Sequence, residues 1–153
     1  MREQIYALRF TGQAAPSSPD GHVLNAATSA RSSTITTVLT AAGLDGRIEP
    51  AAGGEAAFTS EVTFTGESAF QETGTIDFGH GDRLRFTTVG SGYLAPSADP
   101  ERQHGAVIWR VEGGDGRFAG ASGLITSNFF VGQDGAVVDH HFGVLFTPAP
   151  AGR

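Results

Sequence analysis

The sequence predicts an all-β domain of consecutive antiparallel strands, and three observations support this. The 153 residues include 22 glycines and 11 phenylalanines, a composition typical of strands and turns. Apolar side chains recur at every second position over much of the chain, which is the period of a half-buried strand. The last third, Trp109 to Phe146, places the turn Gly132-Gln133-Asp134-Gly135 between two apolar runs. Such a turn predicts a hairpin, because glycine reaches positive φ without steric cost.

The N-terminal third contains one clear strand and one ambiguous region. Gln4 to Phe10 predicts the first strand, with Tyr6 and Leu8 on the same face. In the region from Asn25 to Leu44 the alanines could open a helix, whereas the β-branched residues from Ser32 to Thr40 favour a strand. The other segments predicted here are a polar loop at Gly12–Gly21, a short edge piece at Gly46–Glu49 and a loop at Ala51–Glu55.

The centre of the chain alternates strands with hairpin turns. In the first of these strands the alternation places Phe58 and Ser60 on one face, and in the second it places Phe70 and Glu72 on one face. In the third strand, Phe86 belongs to the apolar face. The predicted strands are Ala56–Thr65, Ser68–Phe78, Arg83–Gly92 and Ala106–Glu112, with turns at Gly66-Glu67 and Gly79–Asp82 and a polar loop at Ala95–Gly105.

Seven or eight strands in this order either close into a barrel or split into a sandwich. Many positions are apolar or threonine on both faces, which favours a barrel with a filled or ligand-lined interior. Neither a repeat nor a linker is indicated. We therefore predict a single barrel domain over residues 1–147 and a disordered tail at 148–153.

The composition argues against several classes of function. The net charge is −6 and all ten basic residues are scattered arginines, unlike the clustered footprint of a nucleic-acid-binding protein. Without cysteine or lysine, thiolate zinc sites, cysteine nucleophiles and Schiff bases are excluded. The first residues lack the apolar core of a signal peptide, and no apolar run reaches membrane-spanning length. We expect a cytoplasmic protein with no membrane partner.

A glycine-rich segment, Gly113 to Gly123, contains a loose GxGxxG-like pattern. A dinucleotide site would require a helix after it, yet the residues that follow, LITSNFFV, are β-branched and aromatic. The segment is therefore interpreted as a tight turn in which Phe118 plugs one end of the barrel. No cofactor is expected.

The same turn carries a family resemblance. GGDGRFAGASG, between IWRVE and GLITSNF, is similar to the GG-x-G-x-F-x-G-x-x-G turn of the allene oxide cyclase family. FGHGDRLRF and VGSGYL resemble the family's FG-turn-strand arrangement and G-x-Y element, so the resemblance covers about Glu67 to Phe130. It implies a closed antiparallel β-barrel of about eight strands, calycin-like and shared with dirigent-like proteins. It also implies a hydrophobic cavity and a homo-oligomer, a dimer or trimer. Relatives cyclise or steer reactive small molecules without a cofactor, and bacterial members include pathway cyclases.

His140 is the first candidate for chemistry. It alternates with Phe142 on one face of the last strand, whereas Asp139 and His141 point the other way. A histidine among apolar residues is either an acid/base in a cavity, with Phe142 lining it, or a core histidine bonded to a backbone carbonyl. Because adjacent strand residues project to opposite faces, the His-His pair is a poor metal site, and none is expected.

Glu72 is the second candidate, because it shares a strand face with phenylalanines. A carboxyl group there acts as a general acid with a raised pKa, or lies solvated at the rim. Asn128, disfavoured in mid-strand, either ties strands together or contacts a ligand. Trp109 is either a core residue or a cavity wall. Three hydrogen-bonding residues that could orient a ligand, or only satisfy one another, are Tyr6, Ser60 and Thr88.

With the family resemblance, these residues lead us to expect a cofactor-independent cyclase or isomerase. It would shape a reactive, largely apolar metabolite, polyketide- or lipid-like, inside the barrel. His140 and Glu72 are the predicted catalytic residues. The predicted substrate contacts are Tyr6, Ser60, Thr88, Trp109, Asn128 and Phe142. Two alternatives remain open: a carrier of a small hydrophobic ligand, and a structural oligomer whose barrel is filled by its own side chains.

Overall fold

The computed structural model describes residues 1–149, and within 31–39 and 44–53 it describes the backbone without the side chains. Over these residues the chain forms nine strands and one short 3-10 helix, Gly116–Phe118. In this part of the chain no helix has the length and apolar character needed to span a bilayer. The strands are β1 (Arg2–Pro16), β2 (Val23–Thr40), β3 (Gly43–Phe64), β4 (Ala69–Asp77), β5 (Arg83–Thr88), β6 (Gly92–Pro96), β7 (Arg102–Asp115), β8 (Ser122–Gly132) and β9 (Ala136–Thr147).

The strands close into an antiparallel β-barrel with eight positions, which confirms the predicted fold class. The hydrogen-bonded order runs β3-β2-β1-β9-β8-β7-β5-β4, and a further pairing of β3 with β4 completes the ring. The short strands β5 and β6 occupy one position, because each pairs with β4 on one side and β7 on the other. Closure leaves no unpaired edge in the ring.

Alternation along the strands places one set of side chains inside the ring. Tyr6, Leu8 and Phe10 of β1 are buried, as are Phe58 of β3 and Phe70 of β4. The faces predicted for these strands are therefore the inward ones. Further buried residues of the core are Ile76, Leu84, Phe86, Val107, Trp109, Ile125 and Leu145.

Several predicted boundaries are wrong, because strand pairing continues through residues with weak strand propensity. The predicted loop at Gly12–Gly21 is strand as far as Pro16, since β1 pairs there with β2. The predicted edge piece Gly46–Glu49 and loop Ala51–Glu55 belong to one continuous strand, β3. The predicted loop Ala95–Gly105 shrinks, because β6 runs to Pro96 and β7 begins at Arg102. In the predicted tail, residues 150–153 lie outside the described part of the chain.

The two ends of the barrel differ. At the end beside the β4–β5 turn, Phe118 is buried, with its ring centroid 5.0 Å from that of Phe78. Gly114 makes room for this plug, since a Cβ there would lie 2.1 Å from the Arg83 carbonyl oxygen and 2.8 Å from Phe118 Cβ. At the opposite end a cavity enters the barrel, and none of the side chains described for this chain plugs it.

Candidate functional site

The barrel contains a cavity of about 300 Å³ at its unplugged end. Partly exposed residues such as Leu24 and Leu94 surround the entrance, and buried residues form the floor. This volume is at the lower end of the range of small-molecule sites. The aromatic lining residues are Phe58, Phe64, Phe70 and Phe129, and the polar ones are Thr28, Glu72, Gln103 and Asp139.

Glu72 lies on the cavity floor and only 6% of its surface is exposed. The Ser60 hydroxyl donates to Glu72 Oε1 over 2.6 Å, and Trp109 Nε1 donates to Oε2 over 3.1 Å. The backbone of Glu72 is also fixed, because its N–H donates to Thr88 Oγ1 and the Thr88 hydroxyl donates back to its carbonyl oxygen. Three neighbouring strands thus hold this carboxyl group in one position.

Burial governs the protonation of Glu72. The pKa of its carboxyl group is raised from 4.5 to about 8, chiefly by loss of hydration on burial and in smaller part by the nearby Asp139 carboxylate. The hydrogen bonds from Ser60 and Trp109 favour the ionised form and lower the pKa, but they do not outweigh burial. At neutral pH the side chain is therefore largely a neutral carboxylic acid, which can donate a proton.

A second polar network adjoins the cavity through Asp139. The Ser127 hydroxyl donates to Asp139 Oδ1 over 2.6 Å, and His141 Nε2 lies 2.8 Å from Oδ2. On the far side of the imidazole, Tyr6 OH lies 3.1 Å from His141 Nδ1. Burial, with the charge of Asp139, raises the pKa of Tyr6 well above its usual value. The phenol therefore stays protonated; in the tautomer in which it donates to Nδ1, the imidazole proton lies on Nε2 and faces Asp139.

His141 is enclosed by aromatic rings and is only 2% exposed. Its ring centroid lies 4.5 Å from that of Phe10, 4.8 Å from Trp109 and 5.4 Å from Phe58. The imidazole does not line the cavity; it connects the cavity-facing Asp139 to Tyr6 in the interior. Its position suits a group that orients the Asp139 carboxyl group and forms a hydrogen bond with it.

Five of the predicted site residues lie inside the barrel. Glu72 lines the cavity. Ser60, Thr88 and Trp109 form hydrogen bonds with Glu72, and Tyr6 forms one with His141. Apart from Glu72, these predicted residues do not line the cavity themselves. Their observed role is to satisfy other buried polar groups, and direct contact with a substrate stays a prediction.

The other three predicted site residues point outward, so their assignment to the cavity is wrong. Phe142 is 47% exposed, and His140 and Asn128 flank a shallow hollow on the outer surface. His140 and Asn128 are register partners on neighbouring strands, which places both on the same outer face. The error arose because the outer face of β9 is the more apolar one, and a shift of one residue exchanges the two faces of a strand.

Four buried polar residues of the site were not predicted: Thr28, Ser127, Asp139 and His141. Asp139 and His141 could have been identified from the pairing of β9 with β1. Leu8 pairs with His141 and Phe10 with Asp139, so the inward face of β1, correctly predicted, determines that of β9. Ser127 follows, because it pairs with His141 across β8 and β9. Thr28 lies in the region whose secondary structure was ambiguous.

Only the resemblance of the segment from about Glu67 to Phe130, with its turn at Gly113 to Gly123, links the chain to a known family, and that link stays a prediction. Comparisons with family models, with curated proteins and with solved structures find no match for this chain.

Proposed function

We propose that this barrel is a cofactor-independent isomerase or cyclase that acts on a small, largely apolar molecule in its cavity, with Glu72 as the general acid. The observation that carries the proposal is a neutral carboxylic acid held rigidly on the floor of a phenylalanine-lined cavity. Such a group is rare in a protein interior unless it has a function. The resemblance of the glycine-rich turn to the allene oxide cyclase family supports the same class of reaction.

The chemistry follows from the floor of the cavity. Glu72 donates its proton to an epoxide or carbonyl oxygen of the substrate, and the carboxylate left behind keeps its hydrogen bonds from Ser60 and Trp109. For an epoxide, the C–O bond breaks with its electron pair moving to the protonated oxygen. The electron-deficient carbon then faces the rings of Phe58 and Phe70. Loss of a proton from the substrate to Glu72 restores the acid, so the product is an isomer of the substrate.

A mass-neutral reaction can be tested directly. Limonene oxide and stilbene oxide are incubated with the protein, and isomers of unchanged mass are separated by chromatography. Glu72→Gln is expected to lower the turnover at least a hundredfold, the usual scale of general acid catalysis. His140→Ala is the matched control, since His140 lies on the outer surface, and should leave turnover unchanged. Absence of isomers with the wild-type protein, or unchanged turnover in Glu72→Gln, would reject the proposal.

A non-catalytic carrier is the second candidate. One observation favours it: both oxygens of Glu72 already have hydrogen-bond partners in the protein. The carrier predicts that a molecule co-purifies with the protein and is released chemically unaltered. Native mass spectrometry of protein prepared without added ligand distinguishes the two, because the isomerase predicts conversion of the released molecule on incubation.

We also propose that the protein assembles as a homo-oligomer through the outer surface of β1, β8 and β9. Ile5 and Leu124 are more than half exposed, and Phe142 lies beside them. Register pairs Ile5 with Val144 and Val144 with Leu124, so the three strands form one apolar row. Large exposed apolar patches on a sheet are typical of protein interfaces.

A further inference from the structure

Among the side chains that the structure describes, Thr28 is the one buried polar group of the cavity lining without a hydrogen-bond partner. Its side chain lies on the cavity wall, it is 7% exposed, and its hydroxyl oxygen makes no hydrogen bond. A buried hydroxyl that has lost its water partners and gained none destabilises the protein. The hydroxyl oxygen itself is buried, so rotation of the side chain about χ1 would present it to the cavity, where a ligand oxygen would restore the missing hydrogen bond.

The charges around the cavity limit the ligand further. Two carboxyl groups, Glu72 and Asp139, line the cavity, and the described lining contains no arginine or histidine side chain. A ligand carboxylate would therefore enter an apolar site with no cationic partner and beside the charge of Asp139. Such a ligand is disfavoured by desolvation and by repulsion together.

A protonated amine is also poorly matched. The carboxylate of Asp139 already accepts hydrogen bonds from Ser127 and His141, and Glu72 is largely neutral at neutral pH. The groups that face Glu72 are Ser60, Thr88, Trp109 and Asp139, and all of them already make hydrogen bonds within the protein. An ammonium group would lose its hydration and would find both oxygens of Asp139 already accepting hydrogen bonds.

We propose that the cavity selects an uncharged, largely apolar ligand with one carbonyl, epoxide or hydroxyl oxygen, and that Thr28 anchors this oxygen by donating a hydrogen bond. This inference rests on the proposed function in that it concerns the same cavity, but it is measured by binding and not by turnover. It therefore holds for a carrier as well as for an enzyme.

Three probes of equal chain length test the selection: decanone, decanoate and decylamine. Their binding is followed by the fluorescence of Trp109, the only tryptophan, which contacts Glu72 beneath the cavity. We expect decanone to bind most tightly, and decanoate and decylamine to bind at least tenfold more weakly. Equal or tighter binding of either charged probe, or no binding of decanone, would overturn the proposal.

The anchor is tested by Thr28→Val, which keeps the shape of the side chain and removes the hydroxyl. Its affinity for decanone should fall about tenfold, the effect of one lost hydrogen bond. Thr63→Val, at an exposed position of β3, is the matched control and should bind as the wild type does. Because the hydroxyl is unpartnered, Thr28→Val should also unfold at a higher denaturant concentration when no ligand is present. Unchanged affinity for decanone in Thr28→Val would overturn the anchoring role.

Discussion

Replacing Glu72 with glutamine should change how the stability of the barrel depends on pH. In the folded protein the carboxyl group has a pKa of about 8, against an ordinary value of 4.5. Between these values the unfolded chain releases the proton while the folded chain keeps it. The folded state therefore binds more protons, and its stability falls as the pH rises from about 4.5 to about 8.

The size of the effect follows from the same values. Each pKa unit corresponds to about 1.4 kcal/mol, so full titration of Glu72 costs the wild type on the order of 5 kcal/mol by about pH 8. Glutamine imitates the neutral acid: its amide NH₂ can donate to Ser60 Oγ, and its carbonyl oxygen can accept from Trp109. Glu72→Gln should match the wild type near pH 4.5 and exceed its stability by several kcal/mol near pH 8.

The assay is urea unfolding of the two proteins across this pH range, followed by circular dichroism. Glu61→Gln is the control, because Glu61 neighbours Ser60 in sequence but is exposed on the outer face of β3. The control should follow the pH dependence of the wild type. Parallel loss of stability in wild type and Glu72→Gln would refute the reasoning, since it would mean that Glu72 titrates alike in the folded and unfolded states.

Two further variants test the polar network and the outer surface. His141→Phe removes the imidazole between Asp139 and Tyr6 and leaves Asp139 Oδ2 and the Tyr6 hydroxyl without a partner, so the free energy of unfolding should fall by about 3 kcal/mol. If denaturant unfolding showed that the free energy of unfolding falls by less than about 1 kcal/mol, the stabilising role of the buried pair of His141 and Asp139 would be contradicted. Phe142→Arg places a charge on the apolar outer surface, and light scattering should then show a monomer where the wild type shows a dimer or trimer. A monomeric wild type, or an unchanged assembly in the variant, would contradict the proposed interface.

The barrel was predictable because its clearest strands each have one strongly apolar face. Phe58 alternates with exposed Thr59, and Phe70 with exposed Gln71, so the pattern alone distinguishes inside from outside. The ends of β1 and β3 were not predictable in the same way. Gly12 and Ala51 have weak strand propensity. Gly12 remains in β1 because it pairs with Thr28 of β2, whereas Ala51 lies at an irregularity of β3, between the paired residues Pro50 and Glu55.

The candidate site was only half predictable, because not every strand that contributes to it has a single apolar face. Glu72 interrupts a face otherwise occupied by phenylalanine and isoleucine, and a polar residue in such a row is conspicuous. On β9 both faces are partly apolar, and the inner face contains Asp139 and His141 while Phe142 lies outside. Apolar side chains on the outer surface make hydrophobicity misleading for this strand, and the pairing with β1 resolves its register.

The position of the buried polar groups argues for a function beyond stability. Replacing a buried ionic network with well-packed apolar residues is often neutral or stabilising, so a fold has no general need for one. Here the polar groups are not spread through the core. Glu72 and Asp139 both line the cavity, and their supporting partners Ser60, Trp109 and His141 lie behind them. Packing alone would favour polar groups at the rim, in water. Packing therefore does not account for two carboxyl groups fixed in an apolar cavity, and they are the feature on which the proposed function rests.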